Sequence, residues 1–254
     1  MTSLSRADVA PPPHPAGVVG VLGGMGPLAT IDFMRKMLDA TAATTDQDHV
    51  PMVVSSIPQV PDRTAAFRGE GASPLDAMVA SARRLRAAGA GLVVVACNTA
   101  HLWYDEIGRA VDLPMIHLVD AAISDAASIG GPGGRIGLLG TDATLASGLY
   151  VNRAAQDGCA QPVQWLLPTA SEMISLVMPG IAAVKAGDLP AATRLLLAAA
   201  DALHRRGATA LVLGCTEIPL ALDASNAPLP MIDATAALAR RAVAWSLAQR
   251  AVGA

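Results

Sequence analysis

The chain has 254 residues, of which 52% are hydrophobic but only 3% aromatic, and a formal net charge of −3. That balance excludes a positive field able to hold nucleic acid or an anionic lipid surface, and no apolar run is long enough to cross a bilayer. Cys97, Cys159 and Cys215 are too few and too scattered for a disulfide framework and lack the spacing of a metal site, which points to the reducing cytoplasm.

Residues 1–16 carry Pro11-Pro12-Pro13 and no apolar stretch of the signal-peptide kind, so they read as a disordered or polyproline arm. The apolar run Val18–Leu22 then ends in Gly23-Gly24 and leads into a helical pattern over Leu28–Leu38, the opening of a parallel α/β unit. Met52–Ile57 reads as a second strand, Pro74–Ala88 as a helix stopped by Gly89, Leu92–Ala96 as a third strand and Met115–Leu118 as a fourth. The basic run Arg83-Arg84-Leu85-Arg86 reads as a solvated helix face.

The second half repeats the first. GVLGG at 20–24 returns as GLLGT at 137–141, LRAAGAGLVVVACNTA at 85–100 returns as LHRRGATALVLGCTEI at 203–218, and LPMI at 113–116 recurs at 229–232. The offsets stay within 116–118 residues, which argues for duplication rather than chance likeness of short strands. The expected fold class is therefore α/β, with two similar parallel-sheet domains related by a pseudo-two-fold axis and the active site in the cleft between them. The expected division is 17–114 plus 228–254 for the first domain and 115–227 for the second.

In each half the third strand ends in a cysteine, Cys97 or Cys215. Ligands of open parallel sheets sit beyond the carboxyl ends of the strands, so two facing halves would point one thiol each into a shared cleft. A helix start after each cysteine is expected to lend it thiolate character, and Asn98, Thr99 and Thr216 with their amides would hold a carboxylate there. Two opposed thiols suit inversion at a carbon: one removes the proton α to a carboxylate and the other reprotonates the opposite face. The competing reading is a pair of buried structural cysteines.

The motifs GVLGGMGPLAT, DQDHVPMVVSSIPQVPDRT, ACNTAH and GCTEIPL, in that order, resemble the aspartate/glutamate racemase superfamily and its aspartate racemase branch, over about residues 18–250. The resemblance implies racemisation by two cysteines, Cys97 and Cys215, without pyridoxal phosphate, metal or nucleotide, acting on a small amino acid. It also implies a carboxylate grip by Arg63, a matching role for Lys185, and a homodimer.

Arg63 stands on the loop after the second strand and offers a planar two-point grip on a carboxylate. Lys185 and Lys36 are the chain's two lysines; a solvated surface lysine competes with the functional reading at 185. Gln59 on the same loop as Arg63 and Met25 at the first turn are added candidates, and Glu217 stands where it would orient or buffer Cys215. Glutamate racemases usually carry Asp-Ser after the first strand and a histidine after the second cysteine, where this chain has Gly24-Met25 and Thr216-Glu217.

GVLGGMG lacks the spacing and the acidic partner of a dinucleotide fingerprint, and no G-x-S-x-G elbow supports a serine hydrolase. His101, His117 and Asp233 have ordinary structural readings beside cleft roles, and Cys159 has no counterpart in the first half. A broader-specificity racemase and a non-catalytic small-carboxylate binder are the alternative functions.

Overall fold

The computed structural model describes residues 15–131, 133–156 and 163–252. Cys159 and most of the proline-rich arm lie outside the described residues.

The first half begins with β1 (Val19–Gly23), α1 (Pro27–Asp39) and β2 (Met52–Ser56). It continues with α2 (Arg63–Arg68), α3 (Leu75–Ala87), β3 (Leu92–Val95), α4 (Tyr104–Val111) and β4 (Met115–Ile116). Helix α5 (Leu118–Gly130) crosses to the second half, which holds β5 (Arg135–Gly140), α6 (Asp142–Ala146), α7 (Leu149–Ala154) and β6 (Gln164–Leu166). There follow α8 (Ala170–Glu172), α9 (Met178–Lys185), α10 (Leu189–Arg205), β7 (Ala210–Gly214), β8 (Met231–Asp233) and α11 (Ala234–Val252).

Two four-stranded sheets form, with orders β2-β1-β3-β4 and β6-β5-β7-β8, and every pairing is parallel. The orders are the same, as the duplicated sequence predicts. β1, β3 and β7 are buried at every residue, which explains their unbroken runs of small aliphatic side chains: a strand covered on both faces has no polar side to show. One apolar cluster runs through both halves, from Val21 and Phe33 through Val119 on α5 to Val212 and Leu238, and α11 packs against both α1 and α5. The halves share a core as well as a cleft.

Strand pairing moves two short strands across the boundaries expected from sequence. Met115 and Ile116 pair with Val93 and Val94 of the first sheet, and Met231–Asp233 pair with Leu211–Leu213 of the second. Each is the copy of the other in the LPMI repeat, so each closes the sheet of its own half.

Both sheets reverse their strand order between the first and third strands of the half, β1 with β3 and β5 with β7. Connections leave such a pair in opposite directions, and a crevice opens at the carboxyl ends. Gly24, which follows β1, holds a left-handed φ of +89°, and a Cβ there would stand 2.3 Å from the backbone nitrogen of Ile57. Only glycine lets that turn pass so close to the end of β2. The crevice rim is thereby left free for the side chains that follow.

Candidate active site

The residues just beyond the reversing strands converge. Met25 follows β1, Cys97, Asn98 and Thr99 follow β3, Thr141 follows β5, and Cys215, Thr216 and Glu217 follow β7. Together they line one slot of about 20 Å³, walled on its outer side by Asp62, Arg63, Thr64 and Lys185. That is room for about one water. Cys97 and Cys215 are free thiols, each only 5% exposed, and both border this slot. Asp62, Arg63, Lys185 and Glu217 also border a larger adjoining cavity of about 520 Å³, whose other walls include Leu28, Pro58, Val60, Val184 and Leu220.

Hydrogen bonding within the slot is incomplete. Asn98 Oδ1 accepts from the Tyr150 hydroxyl at 2.5 Å, while Asn98 Nδ2 is buried with no partner. Arg63 is tied to its own loop, Nη1 donating to the carbonyls of Val60 and Pro61 at 3.1 and 3.0 Å, yet its Nε is buried and unpartnered. Glu217 Oε2 accepts from Cys215 Sγ at 3.0 Å and from Thr216 Oγ1 at 3.2 Å, while Oε1 is buried without a donor. Buried polar groups are rarely left unpaired, because each costs about 1–3 kcal/mol. Three in one slot leave it with two donors and an acceptor that a water or a polar ligand can satisfy. Thr99 Oγ1 lies 2.9 Å from Thr141 Oγ1 and 3.0 Å from Thr144 Oγ1, so a triangle of hydroxyls joins the two halves at the slot.

The charges around the slot are uneven. Lys36 is ion-paired with Asp32 and, at 2.6 Å, with Asp233. By contrast, neither Lys185, at the end of α9, nor Arg63 has an ion-pair partner within 4.0 Å among the described residues. Burial works upward on the Asp62 carboxyl, but the Ala65 N–H and the charges of Arg63 and Lys185 together bring it below its usual value. Two cations without an ion-pair partner among the described residues thus stand at the slot's mouth.

The expected thiolate character is corrected by packing. The chain after Cys97 enters a 3₁₀ turn over Thr99–Trp103, and after Cys215 a shorter one over Ile218–Leu220, so neither thiol caps a long helix. Burial pushes the Cys97 thiol above its ordinary value, and the nearby Glu217 carboxylate adds to this; Arg63, the Ala100 N–H and Lys185 oppose it. Cys215 is pushed much further, by burial and by its hydrogen-bonded neighbour Glu217. Both thiols are thereby made weaker acids, Cys215 the more so.

Gln59 is exposed and lines neither cavity, because the loop turns it outward between Pro58 and the buried Val60. The other nine residues expected at the site all border the slot. His101 is buried beneath it: its Nε2 accepts from the Leu118 N–H at 3.1 Å, which leaves Nδ1–H to donate to the Cys97 carbonyl at 2.8 Å. Burial holds that imidazole neutral, its pKa brought down to about 4. His117 caps α5 and Asp233 caps α11, both ordinary strand-end duties. Sequence reasoning missed Asp62, Thr141, Thr144 and Tyr150. Thr141 had a signal, since it is the repeat's counterpart of Gly24, 117 residues on.

Two duplicated α/β halves whose reversing strands deliver one thiol each to a single polar slot define a class of two-thiol cleft proteins. The chain belongs to the Asp/Glu/Hydantoin racemase family, whose model matches residues 22–242. The aspartate racemase of Picrophilus torridus superposes with a TM-score of 0.80 at 31% identity, covering 90% of this chain and 94% of that one. The broad-specificity amino-acid racemase of Bacillus subtilis is 29% identical over 245 residues, 91% of this chain and 99% of its own length. A glutamate racemase of Deinococcus radiodurans is 29% identical over 238 residues, 91% of this chain and 75% of its own.

Proposed function

We propose that the protein racemises aspartate, or an amino acid close to it, by a two-base mechanism in which Cys97 and Cys215 act on opposite faces of the α-carbon. The observation that carries this reading is the pair of free thiols bordering one slot whose polar groups are left unpaired. The slot amide of Asn98 and the hydroxyls of Thr99, Thr141 and Thr216 suit an α-carboxylate, and Arg63 and Lys185 suit a second carboxylate on the side chain.

The steps follow from the charges. Cys97, the less strongly raised thiol and the one eased by Arg63 and Lys185, supplies the thiolate when its proton leaves to solvent. The thiolate takes the α-proton: the C–H bond breaks, an S–H bond forms, and the electron pair spreads into the α-carboxylate. Donors on that carboxylate stabilise the resulting charge. Cys215, its proton held in place beside Glu217, then gives that proton to the other face. The enzyme is left with a thiol at 97 and a thiolate at 215, the form that runs the reverse inversion. Each positioned proton transfer contributes typically ~10²–10⁴-fold. The scheme uses no cofactor.

A second reading, a racemase of broader specificity, is favoured by the Bacillus subtilis relative and by the cavity of about 520 Å³ beside the slot, where Leu28, Val60, Val184 and Leu220 would accept an apolar side chain. Assaying a panel of L-amino acids for their D-forms without added cofactor separates the two. Conversion confined to aspartate and near analogues supports the first; rapid conversion of neutral or basic amino acids supports the second; conversion of none contradicts both. The homodimer implied by the resemblance enters this proposal, and light scattering should give twice the 25.8 kDa chain mass.

A further inference from the structure

We propose that Tyr150 is a positioning residue: its phenol, reaching across from the second half, turns the Asn98 side-chain amide so that the NH₂ group faces the thiol slot as a carboxylate donor. The inference rests on the racemase reading of that slot.

Tyr150 lies on α7, is wholly buried, and its hydroxyl donates to Asn98 Oδ1 at 2.5 Å. Among the described residues the hydroxyl has no other hydrogen-bond partner. Were the amide flipped, Asn98 would donate to the phenol oxygen, the phenolic hydrogen would be buried without an acceptor, and Oδ1 would face the slot. A carboxylate arriving there would meet an oxygen instead of a donor. Both costs disfavour the flip, since a buried unpaired polar group is expensive and like partial charges repel. The observed arrangement therefore leaves one polar group unpaired, Asn98 Nδ2, on a residue that lines the slot. The ligand completes it.

The phenol is itself held firmly. Its ring meets Trp165 edge-on at 5.8 Å, and a Cβ on Gly214, the residue before Cys215, would lie 3.3 Å from its Cε2. Burial pushes the phenol pKa well up, which favours the protonated form that donates to Asn98. Tyr150 thus packs beside one thiol's turn while aiming the donor that follows the other thiol. A carboxylate donor of the first half is set by the second, and the slot is complete only when the two halves are docked.

The test is a double-mutant cycle with Tyr150→Phe and Asn98→Ala, read as KM and kcat for aspartate and as aspartate affinity by calorimetry. Tyr150→Phe keeps the ring and its packing. It should raise KM and weaken affinity on the order of 10-fold or more, the worth of a hydrogen bond to a charged group, with a smaller change in kcat. In the Asn98→Ala background the same change should cost almost nothing further. An unchanged affinity in Tyr150→Phe, or full multiplication of the two effects in the double variant, overturns the proposal. Should Tyr150→Phe not fold, Asn98→Asp serves instead. It keeps an acceptor for the phenol and puts an oxygen in place of the NH₂, so it should lose affinity more severely than Asn98→Ala, and wild-type affinity there overturns the proposal. The calorimetric arm separates the two ideas: a wild-type protein that binds aspartate without inverting it contradicts the racemase reading while still testing Tyr150.

Discussion

Glu217 Oε2 lies 3.0 Å from Cys215 Sγ and accepts its hydrogen, whereas Cys97, its partner in the repeat, is followed two residues later by the uncharged Thr99. The duplicated halves therefore present two thiols of unequal acidity. Replacing Glu217 by Gln removes a negative charge that raises the Cys215 pKa, so the pKa should fall and the thiolate fraction at a given pH should rise. Alkylation of Cys215 by iodoacetamide, followed by mass spectrometry, should be faster in Glu217→Gln than in the wild type. An equal or slower rate would mean that the carboxylate does not govern this thiol.

The same inequality fixes a pH dependence. Both thiol pKa values are raised, Cys215 more than Cys97, so the thiolate population grows as pH rises and grows first at Cys97. The kcat/KM for either enantiomer should climb with pH along a limb lying above the ordinary thiol range of about 8.5. Cys97 should also be alkylated before Cys215 at any fixed pH. A limb near neutrality, or faster labelling of Cys215, contradicts the assignment of Cys97 as the first base.

Arg63 and Lys185 border both cavities without an ion-pair partner among the described residues. Arg63→Ala should raise KM for aspartate by ~10- to 100-fold, since a charge-assisted hydrogen bond contributes about 1.5–3 kcal/mol. Lys185 sits at an exposed helix end, so Lys185→Ala should cost less, about 10-fold or under. Alanine, which has no side-chain carboxylate, should respond weakly to both changes. Equal losses for aspartate and alanine would move these cations to the α-carboxylate.

Much of this architecture was written in the sequence because burial leaves a periodic trace. A strand covered on both faces must be apolar throughout, which is why Val93-Val94-Val95 and Leu211-Val212-Leu213 stand out and why their shared offset exposes the duplication. The offset even contained the correct partition of the short strands at 115–116 and 231–233, which the expected domain boundaries did not follow. Contacts between halves left no such trace. Tyr150 meets Asn98 across 52 residues and Thr99 meets Thr141 across 42, and neither tyrosine nor threonine carries a mark of its partner. Thiol acidity was misjudged for a related reason: the strand-to-turn position is local and legible, but the burial that outweighs it belongs to the whole packed cleft.

The most direct test of the two-thiol account incubates single-enantiomer aspartate with the protein in D₂O, without added cofactor, following optical rotation and α-deuterium together. Wild-type protein should lose rotation as deuterium enters the α-position, and Cys97→Ser and Cys215→Ser should each stop the loss of rotation, one of them still exchanging the α-hydrogen of a given enantiomer. Loss of rotation at the wild-type rate in both variants would contradict the account.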